Sequence, residues 1–247
     1  AGHNLSDVLG LGLAWAAARM SLRPPSGRHT YGMASATILA ALLNAALLLF
    51  ACGALVWESI ARLAKPAPVP GPVVIAVALI GVAINLGSAW MFRRNRAHDL
   101  NARGAYLHLM ADAAVSLGVA IAGALIWLTG WHWLDPLTGI GIALVILVST
   151  IGLLRESLGL ALNAVPRGLD LERIRAALLA LSGVRAVHDL HVWPLSTTVA
   201  ALTVHLEHDG VRDGDLLLAD AQTAMRVQFG IEHTTIQLEN VGCGQAC

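Results

Sequence analysis

Charge is what this 247-residue sequence has least of: Asp, Glu, Lys and Arg make up 13% of it, about half of what soluble domains carry. With 56% hydrophobic residues and a mean hydropathy of +0.66, that scarcity excludes an ordinary soluble domain and points to a mostly membrane-embedded chain. Cysteine is also scarce. Cys52 lies in an apolar run and Cys243 and Cys247 lie at the extreme end, which excludes a disulfide framework of the secreted kind. No basic stripe is present and the C-terminal part is acidic, which argues against nucleic acid as a partner. No repeat of solenoid length and no low-complexity segment occurs.

What is there divides near Pro166. Residues 1–165 hold ten Lys/Arg and six Asp/Glu, and residues 166–247 hold six and ten, so the formal net charge of zero hides two halves of opposite sign. The first half contains five runs of the length needed to cross hydrocarbon, about 20 residues: 3–22, 32–57, 72–92, 105–128 and 134–154. Breaks separate them at Arg23-Pro24-Pro25-Ser26-Gly27-Arg28, Lys65-Pro66-Ala67-Pro68, Arg93-Arg94-Asn95-Arg96 and Thr129-Gly130-Trp131-His132-Trp133. Trp57, Trp90, Trp127, Trp131 and Trp133 fall at the ends of these runs, where amphipathic rings prefer to sit. The 23–31 and 93–104 loops, with Arg19, hold seven basic residues, and the other two loops hold Arg62 and Lys65. The basic loops are therefore expected in the cytoplasm, together with the polar domain that follows. An odd number of spans starting at Ala1-Gly2-His3 leads us to expect a further helix upstream.

The second half reads as a small α+β domain, with helices at 170–181 and 214–228 and strands at 185–193, 198–207 and 232–239. Val199, Ala201, Thr203 alternate with Ala200, Leu202, Val204, the pattern of a strand with both faces at least partly covered. The expected domains are 1–160 in the membrane, 161–240 as the α+β domain and 241–247 as a cysteine-containing tail.

Most acidic residues of the membrane half sit at span ends; Asp7 and Asp112 do not. A carboxylate deep in a bilayer helix costs about 2.5–3.5 kcal/mol and is normally paired and turned toward an interior path. Each has a histidine four residues earlier, in His3-Asn4-Leu5-Ser6-Asp7 and His108-Leu109-Met110-Ala111-Asp112, a spacing that puts both groups on one helix face. Asp112 lies about 14 Å from Arg103 and Asp7 about 18 Å from Arg19 along a helix, so the two pairs fall at similar depths in antiparallel helices. Two neutral imidazoles and two carboxylates suit tetrahedral Zn²⁺ by type and number, and the two negative charges cancel the cation. Without metal the same carboxylates are expected to take up protons or to draw positive charge onto the histidines, so metal entry should expel protons. The competing reading is two intramembrane hydrogen-bonding pairs. Ala111, Ala113, Ala114, Ser116 and Gly118 allow neighbouring helices close approach.

These pairs, with Arg28-His29-Thr30-Tyr31-Gly32, Leu100-Asn101-Ala102-Arg103-Gly104-Ala105 and Val187-His188-Asp189-Leu190-His191-Val192-Trp193, resemble the cation diffusion facilitator family along essentially the whole chain, most closely its bacterial zinc exporters. The resemblance implies a membrane α-helical bundle of six helices, of which helices two to six are visible, with a small cytoplasmic α+β metallochaperone-like domain. It implies a homodimer in the lipid bilayer of the cell (inner or plasma) membrane, exporting Zn²⁺ in exchange for protons; Cd²⁺ and Co²⁺ stay open as further substrates. By the same likeness His3, Asp7, His108 and Asp112 form the transport site. Family members with cytoplasmic sites use positions matching His188, His205 and Glu239, with a fourth matching Glu232, beside His233. Some use a terminal thiol pair such as Cys243 and Cys247, and zinc there would be a regulatory ion. His191 and Trp193 are read as packing residues, His98, His132 and His208 as exposed, and Asn44 as an interhelical hydrogen bonder. His29 stands alone in its loop, so no additional loop site is expected. The rival class is a membrane-embedded metal sensor or scaffold that binds zinc without moving it. An enzyme is not expected, because four protein ligands leave zinc no open position for catalysis.

Overall fold

The computed structural model describes the backbone of residues 2–64, 70–92 and 100–240, and the side chains of 12–64, 70–91 and 109–240. Its architecture is the expected one, an apolar helical bundle followed by a small α+β domain. The helices are α1 (Gly2–Ser21), α2 (Ala36–Ala64), α3 (Gly71–Phe92), α4 (Leu100–Thr129) and α5 (Leu134–Ala161). Among the described residues, four helical stretches are long and apolar enough to cross a membrane: Ala36–Ala64, Gly71–Met91, Leu109–Thr129 and Leu134–Ala161. The fifth expected span coincides with α1, whose residues up to 11 lie outside the described side chains. The basic run from Arg93 to Arg96 and most of the 65–70 break likewise lie outside the described residues. Helix α2 runs two turns past the expected end, so Trp57 is mid-turn on a continuing helix and 77% exposed. The expected run ends at 57, yet Glu58 and Arg62 form an i, i+4 ion pair at 2.5 Å that suits a continuing helix.

By packing, the chain forms two units, residues 1–47 with 150–247, and residues 48–149. In the second unit small residues set the helix contacts. A Cβ at Gly71 would meet Trp127 and Gly123, one at Gly123 would meet Val74 and Ile75, and one at Gly81 would meet Ser116, so α3 and α4 run antiparallel at close range. Helices α2 and α5 do the same: the Cys52 thiol donates to the Ala143 carbonyl at 3.0 Å, and Arg62 reaches Asp135 at 3.2 Å. His132, expected to be exposed, is half-buried in the turn before α5, with Nδ1 enclosed.

In the first unit the turn after α1 carries Gly32 at φ +67°, where a Cβ would stand 2.7 Å from the Arg23 carbonyl oxygen; only glycine fits there. The α+β domain holds α6 (Leu171–Leu179), β1 (Val184–Pro194), β2 (Ala200–His208), α7 (Gly214–Phe229) and β3 (His233–Asn240). Asp170 and Asp213 cap α6 and α7 by accepting from first-turn backbone N–H groups, and Gly230 ends α7 at φ +68°. The sheet order is β1-β2-β3, with β1 antiparallel and β3 parallel to β2, the second connection being made through α7. Val199 precedes β2 instead of belonging to it: its carbonyl closes a turn by accepting from Leu195 and Ser196 N–H.

Leu202, Val204 and Leu206 on one face of β2 pack with Ile174, Leu178, Ala221 and Met225 of the helices, all nearly fully buried. The opposite face carries Thr203, His205 and Glu207. Leu206→Ala should cost about 2–5 kcal/mol, seen as faster amide hydrogen exchange along β2 in the full chain while exchange in α3 and α4 is unchanged.

Candidate metal centre

The sequence periodicity of β1 conceals a fault that builds the site. Val187 and Val192 both enter the core, yet they are five residues apart, and a regular strand would turn them to opposite faces. The pairing explains this. His188 is opposite His205 and His191 is opposite Thr203, three steps against two, which is a β-bulge. Asp189 takes up the extra residue at φ +48°, a left-handed conformation that Asp tolerates better than most residues.

His188 and His205 thus stand as a cross-strand pair on the open face, rings edge to face with centroids 5.3 Å apart. Glu239 joins them because β3 lies parallel to β2, with Glu239 opposite Glu207 and Gln237 opposite His205. Glu239 is buried, with a relative exposure of 7%. Glu239 Oε2 lies 3.2 Å from His188 Nε2, and Oε1 lies 2.9 Å from His205 Nδ1. Gln237 Nε2 donates to Oε1 at 2.8 Å. His188 Nε2, His205 Nδ1 and Glu239 Oε2 are buried and make no hydrogen bond, an arrangement that needs a reason because buried polar groups are nearly always satisfied.

A cation would supply the reason. The three residues offer ligand atoms within 4.8 Å of one another. Tetrahedral zinc with bonds near 2.1 Å puts its ligand atoms about 3.4 Å apart, close to the 2.9 and 3.2 Å found here. Two imidazole nitrogens and a carboxylate oxygen are borderline donors suited to Zn²⁺. The residues fit a bound divalent metal.

The other expected ligands lie elsewhere. His233 opens β3 opposite Ala201, four residues from His205, about 13 Å along a strand; its ring meets Tyr31 edge-on at 6.1 Å. Glu232 is exposed just ahead of β3. His191 is exposed, and its Nε2 bonds Asp189 Oδ1 at 2.6 Å, a polar contact in place of the packing role expected for it. Cys243 and Cys247 lie outside the described residues. So do the side chains of His3, Asp7 and His108, although positions 3 and 7 both fall on α1, and 108 and 112 both on the unbroken α4. Asp112 is half-buried. Sequence reasoning missed Gln237 and Asp189; the only available signal was the odd spacing between Val187 and Val192.

Apolar spanning helices joined to a small α+β domain with an imidazole–carboxylate cluster define a multi-pass membrane protein whose extramembrane domain carries a set of residues that could hold a metal ion. Residues 1–160 match the model of the cation efflux transmembrane domain, and residues 166–241 that of the cation efflux protein cytoplasmic domain. The chain belongs to the cation efflux family, and its C-terminal domain is cytoplasmic. It is 36% identical over 247 residues to the metal cation efflux system protein CzcD of Cupriavidus metallidurans, covering 100% of this chain and 78% of that protein. It is 36% identical to the zinc transporter ZitB of Escherichia coli, covering 98% and 78%. A cadmium, cobalt and zinc/H⁺-K⁺ antiporter of Bacillus subtilis is 31% identical, covering 97% and 78%. The family is one of metal cation transporters, and its cytoplasmic domain is a dimerisation domain.

Proposed function

We propose that the chain is a secondary transporter that exports Zn²⁺ from the cytosol in exchange for protons. His3, Asp7, His108 and Asp112 bind the ion in transit. His188, His205 and Glu239 hold a second zinc ion in the cytoplasmic domain, where it acts as a regulatory ion. The functional domains are 1–160, 161–240 and the tail 241–247, in a homodimer.

The observation that carries this reading is the likeness along the whole chain to relatives named as zinc transporters and as a cadmium, cobalt and zinc/H⁺-K⁺ antiporter. The two intramembrane His-Asp pairs supply the chemistry. Two carboxylates neutralise a divalent cation, and each takes up a proton when the cation leaves, so exchange for protons avoids leaving buried charge uncompensated.

The test is Zn²⁺ uptake into proteoliposomes of the full-length protein under an imposed pH gradient. Uptake that follows the gradient and reverses with it is the expected result. Stoichiometric zinc binding with no flux would replace transport by the sensor or scaffold reading.

A further inference from the structure

We infer that Asp189 is a positioning residue for the cytoplasmic metal centre: it holds the Nε2 edge of His205, so that Nδ1 is the atom turned to the metal. The inference rests on the metal reading of His188, His205 and Glu239.

Three observations carry it. His205 stands between two carboxylates, with Nδ1 2.9 Å from Glu239 Oε1 and Nε2 3.4 Å from Asp189 Oδ2. A neutral imidazole carries one N–H, and when one nitrogen binds metal the other must bear it. The buried Nδ1 without a hydrogen bond faces His188 and Glu239, so with metal bound Nε2 is left to carry the N–H, and the carboxylate beside it is that of Asp189, the placement by which outer carboxylates fix ligating histidines. The second observation is the bulge. In a regular strand Asp189 would face away from its neighbour His188; the left-handed φ of +48° brings its carboxylate to the open face. The third is that the other carboxylate oxygen is held by His191 Nε2 at 2.6 Å, which steadies Asp189 from the side away from His205. Together Glu239 and Asp189 provide two negative charges for a divalent ion, one bound to it and one beyond the imidazole.

The test uses the purified full chain carrying Asp112→Ala, Cys243→Ser and Cys247→Ser, so that the intramembrane site lacks a carboxylate and the tail its thiols, titrated with Co²⁺ and read by its visible d–d absorption. In this background a band that His205→Ala removes is expected; its absence would sink the metal reading itself and leave Asp189 with nothing to position. Given that band, Asp189→Ala and Asp189→Gly should each weaken Co²⁺ binding about 10–100-fold while leaving the band shape at saturation unchanged. Asp189→Asn, which keeps an acceptor oxygen and tolerates the left-handed conformation, should weaken it less than either. Glycine suits φ +48° best, so wild-type affinity in Asp189→Gly would reduce the role of Asp189 to the backbone bulge and overturn the proposal. A changed band shape in Asp189→Ala would make Asp189 a direct ligand and overturn it too.

Discussion

Asp112→Ala should reduce pH-driven Zn²⁺ flux in proteoliposomes at least about 100-fold. Loss of an outer-shell partner alone weakens metal binding about 10–100-fold, and Asp112 is proposed as a direct ligand. The electrostatics point the same way. With two carboxylates the loaded site is neutral; with one, a net positive charge remains in a bilayer interior, where ionised groups cost about 2.5–3.5 kcal/mol even on insertion scales. The half-buried Asp112 lies within the unbroken α4, and alanine is the best helix former, so the helix should persist. Unchanged Co²⁺ binding at the cytoplasmic cluster of the variant would show that the chain remains folded. Flux close to wild type in such a folded variant would remove Asp112 from the path of the ion.

Glu239→Gln should abolish zinc stabilisation of the cytoplasmic domain. Zinc at 100 times its Kd adds about 2.7 kcal/mol to a site that binds only in the folded state. Glu239 is the one carboxylate within reach of both His188 Nε2 and His205 Nδ1 among the described residues. Glutamine keeps the shape but removes the charge, and presents a neutral amide where the metal needs an anionic oxygen. The measurement is zinc-dependent protection of β2 and β3 against amide exchange in the full chain: present in wild type, absent in Glu239→Gln. Full protection in the variant would mean that the metal sits elsewhere. Because removing the carboxylate also ends its approach to two imidazoles, protection without zinc is the baseline against which each chain is compared.

The two metal-related regions differ in how far the chain itself disclosed them. The pairs His3/Asp7 and His108/Asp112 could be proposed from the sequence because i, i+4 spacing is a local property of one helix, and a carboxylate within a long apolar run is conspicuous. The cytoplasmic cluster was not legible from spacing. His188, His205 and Glu239 meet across three strands, and the register that aligns them is set by pairing. From the chain alone, Glu232 and His233 stood as candidates beside Glu239; His233 shares strand parity with Glu239, and what separates it from the cluster is its register, opposite Ala201 and about 13 Å along the strand from His205. The bulge at Asp189 was equally hidden, since the alternation expected of a strand breaks there.

By itself the sequence determined that this is a membrane protein with an appended α+β domain, because run length and charge scarcity are read by water and lipid without reference to fold. It also placed His3 with Asp7 and His108 with Asp112 one helical turn apart, because that spacing is local to one helix. Only the tertiary structure decided which cytoplasmic residues converge. Parallel pairing of β3 with β2 after the α7 crossover brings Glu239 to His188 and His205, and a single extra residue in β1 turns Asp189 toward them. Both are non-local choices, made by burying Val187, Val192, Leu202, Val204 and Leu206 in one core.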